Sequence, residues 1–385
     1  MIDQPEQTSA KPQLALVLGG GGARAAYQVG VLRGLARLFP EMEIPLLTGV
    51  SAGAINVVYL ANHPGTFRER VDDLAELWRT LSFDDVFEAS FPSLLWQVAR
   101  VGMRLSVGMP PGVQRAAGMV DTDPLRTFLH RALETESRQL PGIAGNIAQG
   151  RLSAVAITAL NYVTGQTITF VQGKAIRGWE RPLRRGVNTN LTVEHVMASA
   201  ALPLVFPPVC IGDSWYGDGG IRLVAPLAPA LHLGADRLLV LTTHYAFPES
   251  PPPGAKCDGS PAPAVILGAL YDAIFLDQLD HDVLQMERIN HLLKHLPPEQ
   301  RLGFRDVRTS VVRPTGDLGD IANDFEHELP RTFRYFMRRF GSKETKSQDF
   351  VSTVMFHEGY ISKLLDLGER DAGAYADQVA ALLAP

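Results

Sequence analysis

Gly49-Val50-Ser51-Ala52-Gly53 follows directly on the apolar run Ile44 to Val50. A GxSxG sequence at the end of a buried strand describes a sharp strand-to-helix corner. There a serine hydroxyl stands exposed, and Gly49 and Gly53 let two backbones pass closely. A helix is expected over Ala52 to Ala61. Its positive end points at that hydroxyl and favours the negative charge that develops during acyl transfer. Ser51 is therefore the candidate nucleophile. A serine hydroxyl attacks well only when its proton has somewhere to go, and a carboxylate within reach can take it. Asp218 is such a carboxylate candidate, one that another backbone can approach closely because Gly219 and Gly220 follow it. The competing reading of Asp218-Gly219 is an ordinary turn.

About one strand and one helix upstream of Ser51, Leu14 to Leu18 is an apolar run of strand length. Gly19-Gly20-Gly21-Gly22-Ala23-Arg24 follows it, and Ala25 to Phe39 then carries Val29, Leu32, Leu35, Ala36 and Phe39 at helical spacing. Such a loop lets amides converge on an anion without side-chain obstruction. Gly20-x-Gly22-x-x-Ala25 also fits a dinucleotide fingerprint, which requires an acidic residue at the end of the next strand to hold a ribose. The next strand ends instead in the Ser51 turn, and Glu43 precedes that strand. Oxyanion binding is the favoured reading. Just upstream of Asp218, the proline-punctuated apolar segment Ser199 to Pro208 reads as buried irregular chain lining a pocket.

Together these motifs resemble the patatin-like phospholipases, in the bacterial branch related to lysophospholipases. The resemblance covers Leu14 to about Val240: the glycine loop with Arg24, GxSxG at Ser51, Ser-x-Ala-x-Pro from Ser199, and DGG at Asp218. It implies a three-layer α/β/α sandwich with a mostly parallel central sheet. It further implies a Ser-Asp dyad, with Ser51 as nucleophile and Asp218 as general base, and an oxyanion hole around Gly20, Gly21, Gly22, Ala23 and Arg24. No metal and no cofactor are implied, and the expected substrate is a phospholipid, lysophospholipid or other fatty acyl ester. The family usually carries glycine after the loop arginine, where this chain has Ala25 and Ala26. Two alternatives stay open. One is an α/β-hydrolase triad using His244, His281 or His357, disfavoured because only one strand and one helix precede Ser51. The other is a non-catalytic lipid-binding protein that keeps the fold.

The rest of the chain agrees with a large core and a water-facing exterior. It has 385 residues, of which 46% are hydrophobic, and a formal net charge of -5, which excludes a strongly basic nucleic-acid binder. Cys210 and Cys257 provide neither a disulfide framework nor a metal cluster and suit a reducing cytoplasm. Met1 to Gln13 lacks a secretory pattern, and no run reaches the length of a membrane span, so a membrane is expected to be met only peripherally, from its surface.

The expected organisation is a flexible N-terminus (1–13), a catalytic domain (14–245), a linker (246–263) and a helical C-terminal region packed on the core (264–385). Within the catalytic domain, 84–120 is a candidate cap. Leu152 to Leu160 and Gln166 to Gln172 read as a hairpin, and Asp236 to Thr243 as a further buried strand. Arg331 to Phe340 mixes four arginines with aromatics, a pattern open to a membrane surface or to packing on its own domain.

Overall fold

The computed structural model describes residues 13–87, 122–135, 139–174, 176, 178–203, 205–245, 278–330 and 348–384. The expected cap from 88 onward, the linker and Arg331 to Phe340 lie outside the described residues.

Strands β1 (Leu14–Leu18) and β2 (Leu46–Val50) are apolar nearly throughout, as strands covered on both faces must be. The 3-10 turn Gly22–Arg24 leads into α1 (Ala25–Leu38), which crosses back so that β1 and β2 pair in parallel. Helix α2 (Ala52–Asn62) leaves β2 at Ser51. Helix α3 (Phe67–Thr80) starts on a capping box between Thr66 and Glu69, and α4 (Phe83–Val86), α5 (Asp123–Ala132) and α6 (Pro141–Ala148) follow. The expected hairpin is present as β3 (Ala154–Asn161) and β4 (Thr167–Gly173), paired antiparallel. Strands β5 (Trp179–Arg181) and β6 (Arg184–Asn188) complete that side.

After α7 (Val193–Ser199) comes the tight hairpin β7 (Val209–Ile211) and β8 (Ser214–Asp218), then α8 (Ala228–His232) and the buried strand β9 (Arg237–Leu241). The C-terminal part contributes α9 (Gln278–Lys294), α10 (Leu318–Asn323), α11 (Gln348–Thr353), α12 (Glu358–Ala374) and α13 (Ala376–Leu383). It is not purely helical. Strand β10 (Arg308–Val312) pairs in parallel with β9 and forms one margin of the central sheet.

The sheet runs β10-β9-β1-β2-β3-β4-β6-β5, and the first five strands are mutually parallel. The period-2 geometry of each strand divides the core into two layers. Leu14, Leu16 and Leu18 of β1 and Leu239 and Leu241 of β9 face one layer, packed with α1, α2, α3 and α12. Ala15, Val17, Leu238 and Val240 face the other, closed by Leu227 and Ala230 near α8 and Leu279, Val283 and Met286 of α9. The expected three-layer α/β/α arrangement with a mostly parallel sheet is thus the observed one. Helix α12 crosses α1 at backbone distance: a side chain at Gly30 would lie 2.2 Å from the Leu365 carbonyl, and one at Gly368 2.2 Å from that of Tyr27. A knot of hydrogen bonds fixes the same crossing. The Tyr27 hydroxyl donates to Asp371 at 3.0 Å, and Thr315, just after β10, donates to Asp371 through both its amide (2.9 Å) and its hydroxyl (2.7 Å).

Candidate active site

The pairing of β3 brings Ser51 and Asp218 together. On one side β3 pairs with β4 along its whole length. On the other it pairs first with β2, ending at Val50 opposite Thr158, and then with β8, where Asp218 lies opposite Ala159. One strand therefore hands its neighbour's place from β2 to β8 at consecutive residues. The chain leaves β2 through Ser51 at the point where β8 arrives with Asp218.

Ser51 has φ 56° and ψ -129°, a conformation that L-residues adopt only under constraint. The constraint is visible on both sides of the turn. A side chain on Gly53 would lie 2.5 Å from the carbonyls of Leu18 and Gly19, and one on Gly49 would lie 2.5 Å from the Gly53 carbonyl. Beneath the turn, the Ser51 amide donates to the Ser199 hydroxyl at 3.1 Å, and that hydroxyl donates to the Thr158 carbonyl at 2.7 Å. Fully buried Ser199 thus ties the backbone of Ser51 to β3. The proline-rich segment had marked this place in sequence without assigning the serine a partner.

Asp218 is fully buried. Its Oδ1 accepts from the Gly220 amide at 2.8 Å, while Gly219 lies flat against β3, where a side chain would meet the Thr158 carbonyl at 2.2 Å. Burial pushes the Asp218 carboxyl up to about 7, with the Ser51 hydroxyl and the Gly220 amide pulling in the opposite direction. A carboxyl poised near neutrality beside a serine hydroxyl is suited to accept and return a proton.

The glycine loop covers the same turn. A side chain on Gly20 would touch the Ser51 Cβ at 3.0 Å. Gly21 and Gly22 have φ values of 144° and 56°, which glycine adopts without strain. Among the described residues, no hydrogen bond takes up the amides of Gly20, Gly21 or Gly22, nor that of Ala52 at the start of α2. The Gly20 carbonyl accepts from the Thr243 hydroxyl at 3.0 Å. Because the carbonyl and the following N–H of a trans peptide point in opposite directions, this bond turns the Gly21 amide away from Thr243. Ala25 is ordinary right-handed helix at φ -65°, so the alanines after the loop arginine impose no strain. The buried Arg24 side chain runs elsewhere: its Nε donates to the Ser352 hydroxyl at 2.6 Å, tying the loop to α11.

An apolar cleft opens beside Ser51. Ile55, Leu77, Trp78, Val86, Phe87, Leu125 and Phe128 form one side, Ala200, Leu202 and Phe206 another, and Thr353, Val354 and Phe356 the third. Phe356 stacks on Trp78 and meets Phe87 edge-on. The wall from the C-terminal segment has no local signal in the sequence. The Thr353 carbonyl comes so close to Gly22 that a side chain there would meet it at 2.2 Å.

The histidines are engaged away from this centre. His244 pairs with Asp280 at 3.8 Å, His281 sits near Gln285 on α9, and His357 caps α12 by accepting from the Gly359 amide at 3.2 Å. Among the described residues, none of the three bonds to Ser51 or Asp218. The nearby buried His195 is pushed down to about 4 by burial and is held by the Thr192 hydroxyl at 2.7 Å.

A patatin-like phospholipase family model matches residues 16–231, which span the glycine loop, the Ser51 corner and Asp218. The chain belongs to the patatin-like phospholipase family. The solved structures it is similar to are distant in sequence. Human GIVD cytosolic phospholipase A2 in complex with methyl gamma-linolenyl fluorophosphonate is 11% identical over 97% of this chain and 59% of that chain, with a TM-score of 0.42. VipD from Legionella pneumophila is 12% identical over 93% and 67%, with a TM-score of 0.36. The type III effector protein ExoU of Pseudomonas aeruginosa is 15% identical over 94% and 54%, with a TM-score of 0.29. The chain thus spans less than two thirds of the human phospholipase and ExoU chains. No curated protein sequence matches it.

Proposed function

We propose that this patatin-like protein hydrolyses fatty acyl esters of phospholipids or lysophospholipids through an acyl-enzyme on Ser51, with Asp218 as general base. The single observation that carries this reading is the buried carboxyl of Asp218, raised to about 7 beside the Ser51 hydroxyl at a strained strand-to-helix corner. In the first half-reaction Ser51 Oγ attacks the acyl carbonyl carbon and its proton passes to Asp218. The negative charge on the carbonyl oxygen is met by the unpaired amides of Gly20, Gly21 and Gly22, with Ala52 at the positive end of α2. Collapse of the tetrahedral species expels the alcohol, which takes the proton from Asp218. Water then attacks the acyl-enzyme, Asp218 accepts its proton, and Ser51 recovers its own as the fatty acid leaves.

The apolar cleft beside Ser51 suits an acyl chain, whose methylenes each gain about 0.8 kcal/mol on burial. Among the described residues no helix is long and apolar enough to cross a membrane. The testing experiment is hydrolysis of a p-nitrophenyl ester series by wild type, Ser51→Ala and Asp218→Ala, each checked for folding, with fluorophosphonate labelling in parallel. Turnover and labelling that disappear with Ser51 support the reading. A wild type that neither turns over any chain length nor becomes labelled overturns it in favour of a lipid-binding protein that keeps the fold.

A further inference from the structure

Large apolar side chains are left in water along one rim of the sheet. Tyr162 (45% exposed) and Val163 (66%) sit in the turn leaving β3, Leu183 (51%) in the turn before β6, Trp215 (45%) on β8, and Val224 (61%) just past the glycines that follow Asp218. These positions are remote in sequence but tied together in space. The Tyr162 amide donates to the Trp215 carbonyl at 2.8 Å, and the Thr167 amide to the Leu183 carbonyl at 2.9 Å. The Thr167 hydroxyl donates to the Arg222 carbonyl at 3.1 Å, and the Arg222 guanidinium to the Gly165 carbonyl at 3.0 Å.

The rim is also the edge at which β2 ends and Ser51 begins. Tyr162 follows the last residue of β3, and Trp215 precedes Asp218 by three residues on β8. Leu183 stands at φ 61°, where glycine or asparagine would be the undemanding choice. An apolar side chain is thus held in water at a backbone position that resists it, a local conflict of the kind that marks functional surfaces.

Charge completes the pattern. In a chain of net charge -5, the rim segments carry Arg181, Arg184, Arg185 and Arg222 against Glu180 and Asp213. Tryptophan and tyrosine among arginines match the headgroup layer of a bilayer, where an aromatic ring is half wetted and a guanidinium meets lipid phosphate. Leu292, Leu296, Leu302 and Phe304 are also exposed, but they lie around the end of α9, where the chain enters β10 from the opposite edge of the sheet, without this arginine set.

We infer that the rim of Tyr162, Val163, Leu183, Trp215 and Val224, with Arg185 and Arg222, is the surface by which the protein docks on anionic phospholipid bilayers, presenting the Ser51 edge to the lipid. This deepens the hydrolase reading and rests on it for its purpose, though docking is measurable without turnover.

The test uses the full chain carrying Ser51→Ala, sedimented with phosphatidylcholine vesicles with and without phosphatidylserine. Binding strengthens with phosphatidylserine. It weakens about fivefold for Arg185→Ala, from the roughly 1 kcal/mol of one arginine near an anionic surface, and about tenfold or more for Val163→Asp with Trp215→Ser. Leu302→Asp, at the opposite edge, leaves it unchanged. Trp215→Phe lowers the fluorescence quenching that brominated phosphatidylcholine causes in the parent.

Vesicle binding untouched by the rim substitutions overturns the proposal. So does a rim variant that alters sedimentation velocity without altering vesicle binding, which makes the rim a contact between two copies of the chain. Hydrolysis of short soluble esters, measured with Ser51 intact, separates the two claims. Normal ester turnover without vesicle binding sinks docking alone, and rim-dependent vesicle binding without turnover of any ester sinks the hydrolase reading alone.

Discussion

At the scale of single residues, the Asp218 carboxyl sets the expected pH behaviour. Below its pKa of about 7 it is protonated and cannot accept the Ser51 proton, so kcat/KM for a neutral ester rises through an acidic limb with an apparent pKa near 7. Stability runs the other way. A carboxyl at about 7 in the fold and at 3.8 when unfolded holds its proton more tightly in the native state. Its contribution to stability therefore falls as pH rises from about 4 to 7. Asp218→Asn removes that burden. The expected outcome is a variant without measurable ester hydrolysis whose Tm exceeds wild type at pH 8, the gain disappearing toward pH 4. Ser199 makes a second residue-scale prediction. Ser199→Ala leaves the buried Ser51 amide unpaired, at about 1–3 kcal/mol, and relaxes the turn that holds Ser51. A kcat lower by about tenfold to a hundredfold with little change in KM is expected from steady-state kinetics. A change confined to Tm assigns Ser199 to folding alone.

At the scale of elements, the crossing of α1 and α12 depends on residues with no side chain to intrude. Gly368→Ala places a methyl against the Tyr27 carbonyl and forces the helices apart, an overpacking cost of about 1–3 kcal/mol. A lowered Tm by calorimetry is the expected reading, and an unchanged Tm means the crossing relaxes freely. The elements best legible in the sequence were those whose patterns are local. Strands β1, β2 and β9 are short continuous apolar runs bounded by turn residues, and β3 and β4 are stretches with β-branched residues on either side of an obvious loop. Strands β5, β6 and β10 are short and polar, with Arg181, Arg184, Arg185 and Arg308 within them. Such strands owe their pairing to neighbours already in the sheet, and no window of sequence contains that information. The site divides in the same way. Ser51, Asp218 and the glycine loop announce themselves through turn chemistry, whereas Ser199, Thr243 and the bond from Arg24 to Ser352 exist only because distant segments meet. Arg24 in particular is drawn by sequence resemblance to the oxyanion hole, and the structure sends its Nε to α11.

At the scale of the whole molecule, the cleft is closed by parts of the chain from both ends. Phe356 lines it, packed against Trp78 and Phe87. Replacing it with alanine enlarges the cleft, so the preferred p-nitrophenyl ester shifts toward longer acyl chains. Relative kcat/KM across the chain-length series checks this, and an unchanged optimum places the acyl chain elsewhere. The same closure bears on how the protein is made. Ser51 and its corner emerge from the ribosome early, while Ser352, Thr353 and Phe356 follow roughly 300 residues later, about 15–60 s at ordinary rates of synthesis. Through that interval the glycine loop lacks its Ser352 anchor and the apolar cleft lacks its third wall. The order of translation thus keeps the corner at Ser51 without its full set of neighbours until residue 356 has been made.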